Sequence, residues 1–394
     1  MKDQMDDLSM HLDDPWGDIR EGVAKVCEPF DNAYWNELDS KSEYPHAFVD
    51  ALTEAGYLGA LIPEEYGGAG LPLSAGGAIL ETIHAMGCNA AACHAQMYTM
   101  GTVLRHGSTE QKQKYLPGIA SGDLRLQAFG VTEPTTGSDT TQLKTKAELH
   151  GNKYVVNGQK VWTSRAFQSD LMLLLARTTP ADQCQRRTDG ISCFLVDLRE
   201  VRGNGLELRK LDAMINHNTC EVFMDNMEIP PDTLIGEEGK GFKYILDGMN
   251  AERVLIAHEC LGDAKYFIDR AVEYVNERTV FGRPIGQNQG IQFPIARAWA
   301  ETQAAALLVA KAGALFEAGR PCGAEANTGK MLASEAAWHA AEACMQSFGG
   351  FAFAREYGIE RKWRECRLYQ TAPISTNMIL NFIGQNVLGM PRSY

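Results

Sequence analysis

Residues 128–140 read Ala128-Phe-Gly-Val-Thr-Glu-Pro-Thr-Thr-Gly-Ser-Asp-Thr140, and residues 159–165 answer them with Gln159-Lys-Val-Trp-Thr-Ser-Arg165. The first stretch begins apolar, turns at Glu133-Pro134 and loosens at Gly137-Ser138-Asp139. That pattern predicts a strand ending in a loop rich in backbone N–H groups and hydroxyls, the kind of loop that holds a large planar or anionic ligand. The second stretch sets the Trp162 indole two residues from the Ser164 hydroxyl, and on a strand these share a face. An aromatic plate beside a hydrogen-bond donor suits a flavin ring. An ordinary β-hairpin with a core Trp has the same spacing, and short motifs match by chance.

Outward from these stretches the chain changes period twice. Residues 1 to about 125 read as helical: Asp14-Pro15 is a start signal, and Val23, Val26, Phe30 and Tyr34 recur at helical spacing. Phe48, Leu52, Tyr57 and Leu58 continue that pattern to Gly59. Residues 73–106 predict one or two buried helices, and a capped amphipathic helix starts at Thr109 and ends at Pro117. From about 126 to 237 the period is that of strands, at 146–149, 154–156, 171–177, 191–198, 206–211 and 219–227. His150-Gly-Asn152 predicts a turn, and Asn157-Gly158 predicts a hairpin because both positions tolerate positive φ. Beyond Gly241 the chain is helical again, with helices over 242–278, 289–317 and 324–347 and a last one between Pro373 and Gly389. Long helices with apolar stripes predict a bundle.

The 394 residues give room for two or three domains. A net charge of −13 argues against nucleic acid or an anionic membrane surface as the main partner. No apolar run approaches the ~20 residues of a membrane span. The acidic start (Asp3, Asp6, Asp7, Asp13, Asp14) resembles neither a signal nor a transit peptide. Ten scattered cysteines without C-x-x-C predict reduced, mostly buried thiols in a cytoplasmic protein. Nine histidines without ligand spacing predict no metal.

The two opening stretches resemble the flavin-binding TEPxxGSD and WxxS/N segments of the acyl-CoA dehydrogenase family. Five further segments are similar to that family in the family's order: Pro63-Glu-Glu-Tyr-Gly-Gly-Ala-Gly70, Gly107-Ser-Thr-Glu-Gln-Lys-Gln-Lys-Tyr-Leu-Pro117, Ile235-Gly-Glu-Glu-Gly-Lys-Gly-Phe242, Arg278-Thr-Val-Phe-Gly-Arg283 and Gln346-Ser-Phe-Gly-Gly350. Together they cover nearly the whole chain. The resemblance implies an α+β fold: an N-terminal helical domain (1–125), a middle β-domain (126–237) and a C-terminal four-helix-bundle domain (238–394). It implies FAD as cofactor, an acyl-CoA as substrate, an electron-transfer flavoprotein as partner and a homotetramer built as a dimer of dimers. The reaction it implies is removal of an α-proton and a β-hydride, giving a trans-2-enoyl-CoA.

In most of that family the base lies in a C-terminal Tyr-Glu-Gly-Thr segment, which aligns here with Ala372-Pro-Ile-Ser375 and puts Pro373 at the base position. No carboxylate lies between Glu365 and Tyr394. In a minority, including isovaleryl-CoA and long-chain enzymes, the base is a Glu before an Arg on the first C-terminal helix. Asn250-Ala-Glu-Arg-Val-Leu-Ile256 matches that pattern, which makes Glu252 the base, and its neighbours Met249, Val254, Leu255 and Ile256 predict a buried setting. Most Glu residues are solvated, and that remains the plain alternative. Pro373 also has no N–H to give a thioester oxygen. Ile374, the flavin's ribityl hydroxyl or a one-residue register difference would have to make up for it, or oxyanion stabilisation loses about 3 kcal/mol.

By the same resemblance Phe129, Val131, Thr132, Ser138, Trp162, Ser164, Ser375 and Asn377 contact FAD. Arg278, Phe281, Gln289, Gln346 and Gly350 reach the FAD of a neighbouring subunit, where an Arg fork suits a pyrophosphate. Ser138, Asn250, Arg253 and Ile374 serve the acyl-CoA. Tyr is common in the family where Phe129 stands. Met97, Tyr98 and Met100, on a helix that usually floors the acyl pocket, either shorten that pocket towards short or branched acyl groups or are plain core. Two other functions are open: different chemistry on the same scaffold, such as desulfination or nitroalkane oxidation, and a non-catalytic flavin-bound interaction protein.

Overall fold

The computed structural model describes residues 15–393, so the acidic first residues, including Asp14 of the start signal, lie outside the described residues. In chain order the α-helices are α1 (Gly17–Cys27), α2 (Asn32–Lys41), α3 (His46–Glu54), α4 (Leu73–Ala85), α5 (Ala91–His106), α6 (Thr109–Ser121), α7 (Leu198–Val201), α8 (Gly241–Glu277), α9 (Gln289–Glu317), α10 (Gly323–Phe348), α11 (Ile359–Arg367) and α12 (Thr376–Phe382). The strands are β1 (Leu126–Gly130), β2 (Lys146–His150), β3 (Lys153–Ser164), β4 (Leu171–Arg177), β5 (Ile191–Asp197), β6 (Leu206–Lys210), β7 (Thr219–Ile229), β8 (Thr279–Val280) and β9 (Arg283–Pro284). They form two compact units. One comprises Met1–Asn36, Pro72–Ala90 and Arg253–Tyr394; the other comprises Glu37–Leu71 and Ala91–Glu252.

The second unit is built on a seven-stranded sheet of order β1-β4-β2-β3-β7-β6, with β5 added to β4. β4 runs parallel to β1 and antiparallel to β5. Its residues 171–176 are all fully buried, and they divide by period two. Met172, Leu174 and Ala176 pack with Val156, Phe194 and Val222, whereas Leu171, Leu173 and Leu175 pack with Met100, Leu116 and Ile119. A strand covered on both faces reads as an unbroken apolar run, which is why this one lacks polar alternation.

Three sequence expectations in this unit need correction. The helix expected to end at Pro117 is α6, which runs through that proline to Ser121. A reciprocal capping box starts it: Ser108 Oγ accepts from the Gln111 N–H at 3.1 Å, and Gln111 Oε1 accepts from the Ser108 N–H at 3.0 Å. Gly122 ends it with φ +86°. Proline removes one N–H but does not by itself end a helix held at both ends. The second correction is at Asn157-Gly158, where β3 runs straight on; the β2–β3 hairpin turns instead at Gly151-Asn152, with His150 opposite Lys153. Gly158 sits at a bulge against β7, and a Cβ there would lie 2.4 Å from Thr145 Oγ1, so the glycine serves close packing, not a turn. The third concerns 191–198, where the strand stops at Asp197 and Leu198 opens α7.

The first unit is helical apart from the small β8–β9 hairpin. Val23 lies on α1 and Tyr34 on α2, so the run expected as one helical stretch breaks at Glu28–Asp31. α8, α9 and α10 fall within one or two residues of the expected ranges. The final helix is shorter than expected, from Thr376 to Phe382, followed by a wider turn over Ile383–Val387. α11 is an element that the sequence reading lacks. Its sequence, IERKWRECR, looks like a solvated face, yet Arg361 and Lys362 are buried. Lys362 Nζ pairs with Asp263 at 2.5 Å and Glu365 at 3.3 Å, and Arg361 pairs with Glu365 at 2.9 Å. All ten cysteines are unbridged, nine of them buried and Cys184 half-buried, as expected. Among the described residues no helix is long and apolar enough to cross a membrane.

Candidate active site

The two stretches that open the sequence reading are stitched together in the second unit. β1 ends at Gly130, and beyond it the Val161 N–H donates to the Thr132 carbonyl at 2.9 Å. Lys160 Nζ donates to the Val131 carbonyl at 3.2 Å and to Glu133 Oε1 at 2.9 Å. Glu133 also accepts from the backbone N–H groups of Lys144 (2.6 Å) and Thr145 (2.8 Å). Burial lowers the Lys160 ammonium to about 8, against the pull of Glu133. Burial alone would raise the Glu133 carboxyl, but Lys160 and the other donors hold it below its ordinary value. Glu133 and Thr136 close a turn through two mutual backbone bonds, and Gly137, Ser138 and Asp139 beyond it are exposed. The expected strand-to-loop transition is therefore present. The Glu133–Lys160 pair that secures it is a long-range contact with no local sequence signal.

Trp162 and Ser164 flank the buried Thr163, as expected of residues on one face. The alternation that predicts this is interrupted, because β3 shifts register against β7 between Lys160 and Thr163 and Trp162 has φ +60°. The indole is 59% exposed, and Ser164 Oγ lies 3.0 Å from Thr219 Oγ1. A broad exposed ring beside a hydroxyl, next to a loop where Gly137 has open space around its Cβ position, fits a planar ring ligand such as a flavin. Arg165, the next residue, also has positive φ, +60°, yet is buried; its guanidinium donates to the Ala91 carbonyl at 2.6 Å.

Glu252 lies on α8 and is 7% exposed, the buried setting that its neighbours predict. Its negative charge bears on the phenol of Tyr98, which burial pushes well above its ordinary value, Glu252 raises further and Arg165 lowers. The Tyr98 ring meets Phe129 edge-on at 5.7 Å. Tyr98 thus meets Phe129 directly, and the charges of Glu252 and Arg165 both act on its phenol. Val131 and Asn250 are half-buried. Met97 is buried and Met100 belongs to the core with Leu116 and Leu126, so of the three bulky residues on α5 only Tyr98 keeps accessible surface. Sequence reasoning missed Arg165 as a member of this group. Its signal was present, since it directly follows the quoted Trp-Thr-Ser.

In the first unit, Arg278 is exposed and its guanidinium lies over the Phe351 ring at 5.7 Å, beside Gly350. Phe281 is fully exposed with φ +52° at the tip of the β8–β9 hairpin, and Gln289 and Gln346 are also exposed. Ser375 Oγ accepts from the Met378 N–H at 3.4 Å and caps α12, while Asn377 is exposed. The Ile374 carbonyl accepts from the buried Lys330 Nζ at 2.9 Å. Arg253 is half-buried.

Comparison with known proteins agrees along the whole chain. The N-terminal, middle and C-terminal domain models of acyl-CoA dehydrogenases match residues 17–123, 128–227 and 239–388. The acyl-CoA dehydrogenase FadE12 of Mycobacterium tuberculosis is 32% identical over 379 residues, covering 95% of this chain and 96% of its own. A solved glutaryl-coenzyme A dehydrogenase in complex with glutaryl-CoA is 29% identical with a TM-score of 0.89, covering 97% of each chain. A structure described as the electron transferring flavoprotein of Acidaminococcus fermentans is 30% identical with a TM-score of 0.88, covering 96% of this chain and 99% of that one.

Proposed function

The chain belongs to the acyl-CoA dehydrogenase family, and from that premise we propose that it converts an acyl-CoA thioester to the trans-2-enoyl-CoA with Glu252 taking the α-proton. One observation carries the assignment of the base. Glu252 is a buried carboxylate whose charge bears on the neighbouring Tyr98, and no carboxylate lies between Glu365 and Tyr394 to compete with it. An α-C–H beside a thioester is a very weak acid, so its removal needs a carboxylate held out of water at the α-carbon and donors at the thioester oxygen.

FAD, when bound, supplies the acceptor for the β-hydride. Phe129, Val131, Thr132, Ser138, Trp162, Ser164, Ser375 and Asn377 hold it in this reading. Arg278, Phe281, Gln289, Gln346 and Gly350 serve the FAD of a neighbouring subunit in a tetramer. Asn250, Arg253, Ser138 and Ile374 hold the acyl-CoA. The electrons pass to an electron-transfer flavoprotein in the cytoplasm, and the chain divides functionally into 1–125, 126–237 and 238–394.

Pro373 supports a second reading, different chemistry on the same scaffold, because its nitrogen carries no hydrogen. In favour of the first reading, the Ile374 N–H is given to no acceptor among the described residues, which supports it as a donor one position away. The test is anaerobic titration of the purified holoprotein with short, branched, aromatic and long acyl-CoAs, following the flavin's blue absorption. Bleaching with formation of enoyl-CoA supports dehydrogenation, and Glu252→Gln should keep the flavin and lose the bleaching. A flavin that no thioester bleaches would favour the second reading.

A further inference from the structure

We propose that Lys330 is a positioning residue of the reaction: its buried ammonium holds the segment between Tyr369 and Ile374 by two carbonyls and thereby aims the Ile374 N–H at the thioester oxygen. This rests on the reading that Ile374 supplies the donor that Pro373 lacks.

The backbone of this segment is bonded on both sides and bare in the middle. Before it, the Thr371 and Ala372 N–H groups both donate to the Leu368 carbonyl, at 2.8 and 2.9 Å. After it, Ser375 caps α12, and the Ser375 carbonyl accepts from the Ile379 N–H at 3.1 Å. Between these anchors Pro373 has no N–H, and the Ile374 N–H is given to no acceptor among the described residues. Among those residues, the single hydrogen bond to the backbone of 373 and 374 is the one from Lys330 Nζ to the Ile374 carbonyl, at 2.9 Å. The same Nζ donates to the Tyr369 carbonyl.

Lys330 lies on α10 and is fully buried. Taking an ammonium out of water is costly, and an unbranched apolar side chain such as Met would fill the same space without that cost. What the ammonium adds is direction. The carbonyls of Tyr369 and Ile374 converge on one point, and that point is fixed to a 26-residue helix. A peptide chain turns only about its φ and ψ bonds, so holding the carbonyls at both ends of the turn leaves little freedom to swing the Ile374 N–H. A donor stabilises a developing oxyanion when it is aimed before the reaction begins and needs no reorganisation during it.

The experiment reads the thioester carbonyl directly, as the infrared stretch of crotonyl-CoA isotopically labelled at that carbonyl and bound to the holoenzyme. A stronger hydrogen bond to the oxygen lowers the stretch, and the wild type should lower it relative to the labelled thioester in water. Lys330→Met should lose about half or more of that lowering. Its kcat for the acyl-CoA that the flavin titration selects should fall about tenfold or more, with KM within about threefold and flavin content unchanged. Lys330→Gln, which is shorter but can still donate, should fall between the two in both readouts, and it decides the matter if the Met variant does not fold. A wild-type stretch equal to that in water overturns the proposal, as does the full wild-type lowering in either variant. So does a loss of kcat matched by a rise in KM or a loss of flavin, the mark of a merely structural lysine. Ile374→Pro removes the N–H itself and separates the two layers. If it keeps the full lowering, the Ile374 reading falls and this inference with it; if it loses the lowering while Lys330→Met keeps it, only this inference falls. The base is tested by bleaching, not by this readout, so that assignment fails or stands separately.

Discussion

Glu133→Gln attacks the joint between the two flavin-side stretches, and its cost can be worked from the pair itself. The Lys160 ammonium stands at about 8 in the folded chain against an ordinary 10.5. That depression means that the buried lysine already costs the fold about 3 kcal/mol, at about 1.36 per pH unit. Without Glu133 the most it can cost at pH 7 is full neutralisation, about 5 kcal/mol, so the lysine's cost worsens by about 1 to 2 kcal/mol. The amide also offers one oxygen where a carboxylate accepted from Lys144, Thr145 and Lys160, a loss of about 1.5 to 2 kcal/mol. The expected destabilisation is about 3 kcal/mol, at the lower edge of the range for breaking one side of a buried pair. Urea unfolding at pH 7 followed by Trp fluorescence measures it, with flavin content measured in parallel. Adding Lys160→Met should restore at least half of the loss, because no unpaired charge then remains. A loss below about 1 kcal/mol with wild-type flavin content would refute the reasoning. The pH dependence has a definite sign. Because the folded lysine value is depressed, the unfolded chain binds more protons between about 8 and 10.5, so this group makes stability rise with pH across that window. Glu133 lies below its ordinary value, so its contribution is present above the usual carboxylate range and is lost as pH falls through its folded value.

Two further predictions concern stability. Gly158→Ala places a methyl 2.4 Å from Thr145 Oγ1 at φ +154°, so it should cost about 1 to 3 kcal/mol by the same unfolding assay and lower flavin retention. Glu81 is buried with His258, Lys265 and Arg20 around it; burial opposes its ionisation, and those cations nonetheless hold its carboxyl well below the ordinary range. Its stabilisation is therefore present above the usual carboxylate value and lost as pH falls through its folded value, and Glu81→Gln should flatten the acid limb of the unfolding curve.

Much of the architecture was legible along the chain because it is carried by local periodicity. The buried run of β4, the range of α9 and the turn before Lys153 were readable from spacing and turn chemistry alone. Recurring segments gave the family, and one residue pattern, Glu252 before Arg253, gave the candidate base. The errors share a cause. Asn157-Gly158 permits a turn without demanding one, Pro117 weakens a helix without ending it, and the charges of α11 look solvated until their partners are known.

The sequence by itself determined where elements begin, which faces are apolar and which family motifs occur in which order, because propensity, period and turn chemistry act over a few neighbours. Only the tertiary structure decided that Glu133 spends its charge on Lys160, that a bulge presents Trp162 to solvent, and that the Glu252 carboxyl is buried. Those outcomes depend on which distant groups share a low-dielectric interior, where an unpaired donor or charge costs as much as a large part of the fold's net stability, and no local spacing encodes that pairing.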